Sequence, residues 1–173
     1  MNASTETHRV WRVGADIDTD ALAPGAYMKF GIDEIARHCL QRQRPDFAAN
    51  VNPGDVIVAG PNFGIGSSRE QAPAALVQLG VRAVIAPAFS GLFFRNAFNV
   101  GLVLLTCAQA ETMEEGERIA IDPLRGRITR ASGVTLVCDP LPAFLLDMAE
   151  AGGLFKLLQQ RYSVKEPSSH DTR

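Results

Sequence analysis

Cysteine is scarce in this chain of 173 residues: Cys39, Cys107 and Cys138 stand far apart, and no C-x-x-C pair exists. That excludes a disulfide scaffold and a metal knuckle. An iron–sulfur cluster takes several thiolates, usually from a tight run, so the chain is a poor carrier of one. Charge of one sign is not in excess: 17 Lys and Arg face 19 Asp and Glu, a formal charge of −2. Nothing in that balance calls for a nucleic-acid or membrane partner. No apolar run is long enough to span a bilayer, and the polar opening MNASTETHRVWRV has no apolar signal region. These absences predict a soluble, reducing, cytoplasmic setting. With 46% hydrophobic residues, the chain escapes wholesale disorder and is long enough to bury a sizeable core.

Several familiar loop motifs are also missing. Gly64-x-Gly66-x-x-Arg69 lacks the third glycine of a dinucleotide fingerprint, no GK[ST] follows it, and no GxSxG elbow exists. His8, His38 and His170 have no evident Ser or Cys partner, so a Ser-His-Asp hydrolase is not indicated. They read as solvated or helix-surface residues.

What is present alternates short apolar strands with helices. Strands are predicted at 9–13, 55–60, 81–86 and 102–105. Ile32, Ile35, Ala36, Cys39 and Leu40 follow a helical stripe ending near Arg42, with Asp33 as N-cap. Residues 44–54 read as a loop. Ser67 or Ser68 opens a helix running to Leu79, and a short helix covers 91–99. This succession indicates an α/β fold with a parallel or mixed sheet covered by helices. A short antiparallel meander follows over 117–138. Helices over 142–150 and 154–162, broken at Gly152-Gly153, complete a single domain over 1–162, with a flexible tail at 163–173.

Chemistry concentrates in Asn62-Phe63-Gly64-Ile65-Gly66-Ser67-Ser68-Arg69-Glu70. A strand, a Gly-containing loop and a helix start can form an anion site from backbone amides. Arg69 in a first turn opposes the helix dipole, which makes more sense if it grips a carboxylate bidentately. The same spacing reads equally as a plain helix start. Ser67-x-x-Glu70 and Ser68-x-x-Gln71 are both capping boxes, and Pro73, just past the first turn, removes a backbone bond. Asp16-x-Asp18-x-Asp20 has calcium-loop spacing, but Ala21 and Tyr27 occupy the positions that need Gly and Glu. An Asx-rich turn is the default for Asp16 and Asp18. Lys29, in Tyr27-Met28-Lys29-Phe30, either faces an anion or is simply solvated. Arg95 and Asn96 either orient a loop or solvate a helix. Phe93, Phe94 and Phe98 read as core or interface.

The Asp16–Asp20 loop, the run Val58–Pro73 and its continuation Val84–Leu102 together resemble the small subunit of 3-isopropylmalate dehydratase, the counterpart of the aconitase swivelling domain. The likeness covers roughly residues 10–110, with both loops in order and suitably separated. It implies a swivelling β/β/α domain and a two-subunit hydro-lyase. A large catalytic subunit would carry a [4Fe–4S] cluster; this chain would hold no metal. Ser67 would be the base that removes the carbon-bound proton. Arg69 would bind a substrate carboxylate, Ser68 would assist binding or cap the helix, and Asp20 would orient groups near the site. Ile65 stands where many relatives have Cys, and Gln71 where the common bacterial form has His. The segment holding Lys29 tunes substrate choice in that family, so the resemblance leaves open a small dicarboxylic or tricarboxylic acid. Isopropylmalate (leucine biosynthesis) comes first, with homoaconitate or a methylated malate as alternatives. A non-catalytic anion-binding or assembly module is the rival of another class.

Overall fold

Three strands are apolar and buried on both faces, save for the half-buried Thr106 that ends the last of them, and these belong to the parallel half of the sheet. They are β2 (Val56–Val58), β3 (Ala83–Ala86) and β4 (Val103–Thr106). Continuous Val, Ile, Leu and Ala runs of this kind suit strands covered by helices on both sides. The computed structural model describes residues 6–163. In it β1 (His8–Arg12) lies parallel to β2, with Val10 opposite Val56. On its other side β1 pairs antiparallel with β5 (Arg118–Asp122), which continues into the meander β6 (Arg127–Arg130) and β7 (Thr135–Val137). The order across the seven-stranded sheet is β4-β3-β2-β1-β5-β6-β7. The two edges approach each other: Asp139, just after β7, donates its N–H to the Thr106 carbonyl at the end of β4.

The connections supply the helices. Between β1 and β2 lie α1 (Thr19–Leu22), α2 (Ile32–Arg37) and α3 (Phe47–Asn50). α4 (Gln71–Gln78) links β2 to β3, and α5 (Gly91–Val100) links β3 to β4. α6 (Ala143–Glu150) and α7 (Leu154–Tyr162) close the chain against α5. α5 buries Phe93, Ala97 and Phe98 on one face and ends at Gly101 in the left-handed conformation.

Four expectations need correction. The stripe over 32–42 is helical only to Arg37, with Gly31 rather than Asp33 at the N-cap. Leu40 adopts φ 59° and gives its N–H to the Ala21 carbonyl, so Cys39 and Leu40 are buried by a turn and not by a longer helix. The 44–54 loop contains α3, because Phe47 is fully buried edge-on to Trp11, with ring centroids 5.3 Å apart. His8 is buried, not solvated: its Nδ1 lies 2.7 Å from the Gly54 carbonyl. The last expectation concerns α4 and belongs to the site. His170 and the expected tail beyond Ser163 lie outside the described residues.

Candidate active site

β1 and β2 run parallel, so their carboxyl ends release two loops on the same side of the sheet. A backbone ladder zips these loops together. Val13 donates to Val58, Gly60 to Gly14, Asp16 to Pro61, Gly64 to Ile17 and Thr19 to Ile65. The Asp-rich loop and the Ser-Ser-Arg loop, 40 or more residues apart in sequence, are thereby neighbours. In open α/β sheets ligands bind outside the carboxyl ends of the strands, and this is such a place.

The Asp-rich loop divides its carboxylates. Asp16 holds φ 55° and accepts from the Asn62 amide at 2.9 Å. Asp18 caps α1 by accepting from Ala21 N–H at 2.7 Å. Asp18 has the turn role expected of it, whereas the Asp16 side chain ties its loop to the other loop instead of capping its own turn. Asp20 does something else: its Oδ1 accepts from Arg69 Nη1 at 2.9 Å and from Gly25 N–H at 2.9 Å. The Arg69 guanidinium first, and the Gly25 amide next, hold its carboxyl below the usual carboxylate range. Arg69 Nη1 also donates to the Ala23 carbonyl at 2.9 Å. Both bonds use one nitrogen, which leaves the Nε/Nη2 edge of the fork for a bidentate anion. A cleft of about 360 Å³ opens on the Asp20 side of the pair, lined by Asp18, Asp20, Gly25, Tyr27 and Arg42 among others; Arg69, Ser67 and Ser68 are not among its lining residues.

Ser67 and Ser68 are both exposed at the end of the same loop. Neither opens a helix. α4 starts at Gln71 with Glu70 at its N-cap and no side-chain cap bond, so neither capping box forms. This also removes two expected difficulties. Arg69 precedes the helix and so does not oppose its first turn. Pro73 falls inside the first turn, where its missing N–H has no helical partner to lose. Freed from capping, the Ser68 hydroxyl accepts from the Asn96 amide at 3.2 Å.

Sequence reading placed Asp20, Ser67, Ser68 and Arg69 in one site, and the fold brings their loops together. It did not find the Arg69–Asp20 pair or the contribution of Gly25, because neither is coded by spacing. Asn96 was noted, with loop orientation as one of two readings, and its bond to Ser68 bears out that one. Lys29 is exposed, with its ammonium 5.2 Å over the Phe30 ring, and is not among the residues lining the cleft. Nearby, Tyr27 stacks face to face on His38 at 3.6 Å, and Glu34 and Gln41 hold the imidazole.

A metal cluster does not fit the side chains of the described residues. Its three cysteines are free and buried, and among the described residues no group of three or more His, Cys, Asp or Glu side chains is arranged to hold an ion. Cys39 is fully enclosed and its thiol is pushed up by burial. No helix among the described residues is long and apolar enough to cross a membrane.

Comparisons with known proteins bear on the fold and the family. The aconitase C-terminal domain matches residues 36–110. The 3-isopropylmalate dehydratase small subunit of Methanosarcina mazei is 42% identical over 159 residues, covering 91% of this chain and 98% of that protein. The methanogen homoaconitase small subunit of Methanothermobacter thermautotrophicus is 45% identical over 149 residues, covering 84% and 86%. The crystal structure of 3-isopropylmalate dehydratase (leuD) from Methanocaldococcus jannaschii superposes with a TM-score of 0.84 at 37% identity, over 92% of this chain and 96% of that one. Identity above 40% over most of the chain and a shared fold lead to one conclusion: the chain belongs to the family of 3-isopropylmalate dehydratase small subunits.

Proposed function

We propose that the chain is the small subunit of a hydro-lyase that interconverts 2- and 3-isopropylmalate by dehydration and rehydration, a step of leucine biosynthesis. The observation that carries the reading is the juxtaposition of two exposed serines with the Arg69–Asp20 pair at the carboxyl ends of β1 and β2. A large catalytic subunit completes the pocket and carries the family's [4Fe–4S] cluster, a reading supported by the lack of a ligand set among the described residues. Three unpaired thiols suit a reducing cytoplasmic setting.

Dehydration removes a proton from carbon next to a carboxylate. Ser67 is the base in this proposal. A neutral serine hydroxyl is a poor base, so its alkoxide needs nearby positive charge and exclusion of water. Arg69 supplies the charge while its Nε/Nη2 edge takes a substrate carboxylate. Asp20 and the Ala23 carbonyl fix the guanidinium from the other side, so the fork is oriented before the substrate arrives. The partner's closure over the exposed serines excludes water.

A second reading changes only the substrate. Lys29 is an exposed cation over the Phe30 ring, and a relative at 45% identity bears the homoaconitase name. A reconstituted pair of subunits, assayed on isopropylmalate, homoaconitate and a methylated malate, separates the two. The proposal expects isopropylmalate to be turned over best. Strong turnover of homoaconitate with none of isopropylmalate would reverse the order.

A further inference from the structure

α5 grips the Ser-Ser-Arg loop at three successive points. At the base, Phe63 exchanges backbone hydrogen bonds with the turn before the helix, donating to Ala88 and accepting from Ser90. One step along, the Phe93 ring lies against Gly64 so closely that a Cβ there would fall 2.2 Å from the ring. Phe63 and Phe93 meet edge to face at 5.4 Å. The third point is polar: Asn96 Nδ2 donates to Ser68 Oγ at 3.2 Å. Asn96 follows Phe93 by three residues, on the same side of the helix, and it precedes Ala97, which is fully buried. Its backbone is therefore fixed by the core, while its amide reaches the exposed end of the loop.

The direction of this bond matters. Ser68 has one proton and two lone pairs. With one lone pair accepting from Asn96, its proton is left to donate to an anion in front of the loop. We infer that Asn96 is a positioning residue that holds Ser68 as a hydrogen-bond donor toward the substrate carboxylate. This inference rests on the proposed role of Ser68 in substrate binding and extends it to a residue outside the loop.

The test uses the full chain, alone and reconstituted with its large subunit, and 3-isopropylmalate as probe. In the isolated chain, Ser68→Ala should move the side-chain amide resonance of Asn96; an unmoved signal contradicts the contact. In the reconstituted enzyme, Asn96→Ala should raise KM about fivefold or more with kcat changed less than twofold, as expected when a ground-state contact is lost. Asn96→Asp should raise KM at least as much, because a carboxylate would draw the Ser68 proton toward itself. On a Ser68→Ala background, Asn96→Ala should add nothing. If Ser68→Ala raises KM and Asn96→Ala adds its full effect on top, the inference fails while the proposed function stands. If Ser68→Ala leaves KM unchanged, the substrate-binding role of Ser68 fails, and this inference with it.

Discussion

Arg69 is the residue on which the site's geometry turns. Its Nη1 bonds both Asp20 and Ala23, which leaves the Nε/Nη2 edge as the fork. A lysine would keep the charge and lose the fork, since an ammonium is a point donor without planar geometry. Arg69→Lys should therefore raise KM about tenfold or more in the reconstituted enzyme, read from steady-state kinetics on isopropylmalate, with little change in melting temperature. The pair itself is exposed enough that its worth to stability is small. A different carboxylate carries stability. Asp55 is buried and accepts from Arg9, from Trp11 Nε1 at 2.8 Å and from Asn52 N–H at 2.9 Å. Burial pushes its carboxyl up, and these donors outweigh it and bring the carboxyl below its ordinary range. A depressed native pKa means that the unfolded chain binds more protons. The stabilisation is then present above the unfolded value near ~3.9 and is lost as pH falls through the native one. Asp55→Asn should cost about 2 kcal/mol at pH 7, and thermal melts should show its gap from the parent narrowing as pH drops below about 4.

At the scale of elements, the site depends on the loop between β2 and α4 keeping its path over α5. Gly64 permits that path twice, through φ 82° and through the absence of a Cβ against Phe93. Gly64→Ala should destabilise by about 2 kcal/mol or more and reduce turnover over a hundredfold, measured by melting and by assay of the same preparation. How much of this was legible follows from what codes each element. β2, β3 and β4 were readable because burial on both faces demands unbroken apolar runs. The meander was readable from alternation and from Pro123-Leu124-Arg125-Gly126. The start of α4 was misread, because Ser67-x-x-Glu70 has the letters of a capping box while the ladder with the Asp-rich loop runs to Ile65 and the first helical residue is Gln71. The end of α2 was misread because a long-range bond from Leu40 to Ala21 overrides a local helical stripe. Asp20 and Arg69 were each named by resemblance, but their bond joins residues 49 apart, and no spacing rule reaches that far.

At the scale of the whole molecule, the proposed function makes this chain one half of a pocket. Its two signature loops emerge from one end of the sheet, both serines face outward, and its cysteines are buried elsewhere in the core. In the proposed function the scarcity of cysteine has a counterpart: this chain would offer groups that bind and move protons, while the metal chemistry would belong to its partner. The most direct test of that division is Ser67→Ala in the enzyme reconstituted with its large subunit. Ser67 caps no helix and is exposed, so the variant should fold, melt and assemble as the parent does. Turnover of 3-isopropylmalate should fall by about 10²–10⁴-fold, the range for loss of a positioned acid or base. Assembly with undiminished turnover would contradict the assignment of Ser67 as the base and, with it, the proposed mechanism.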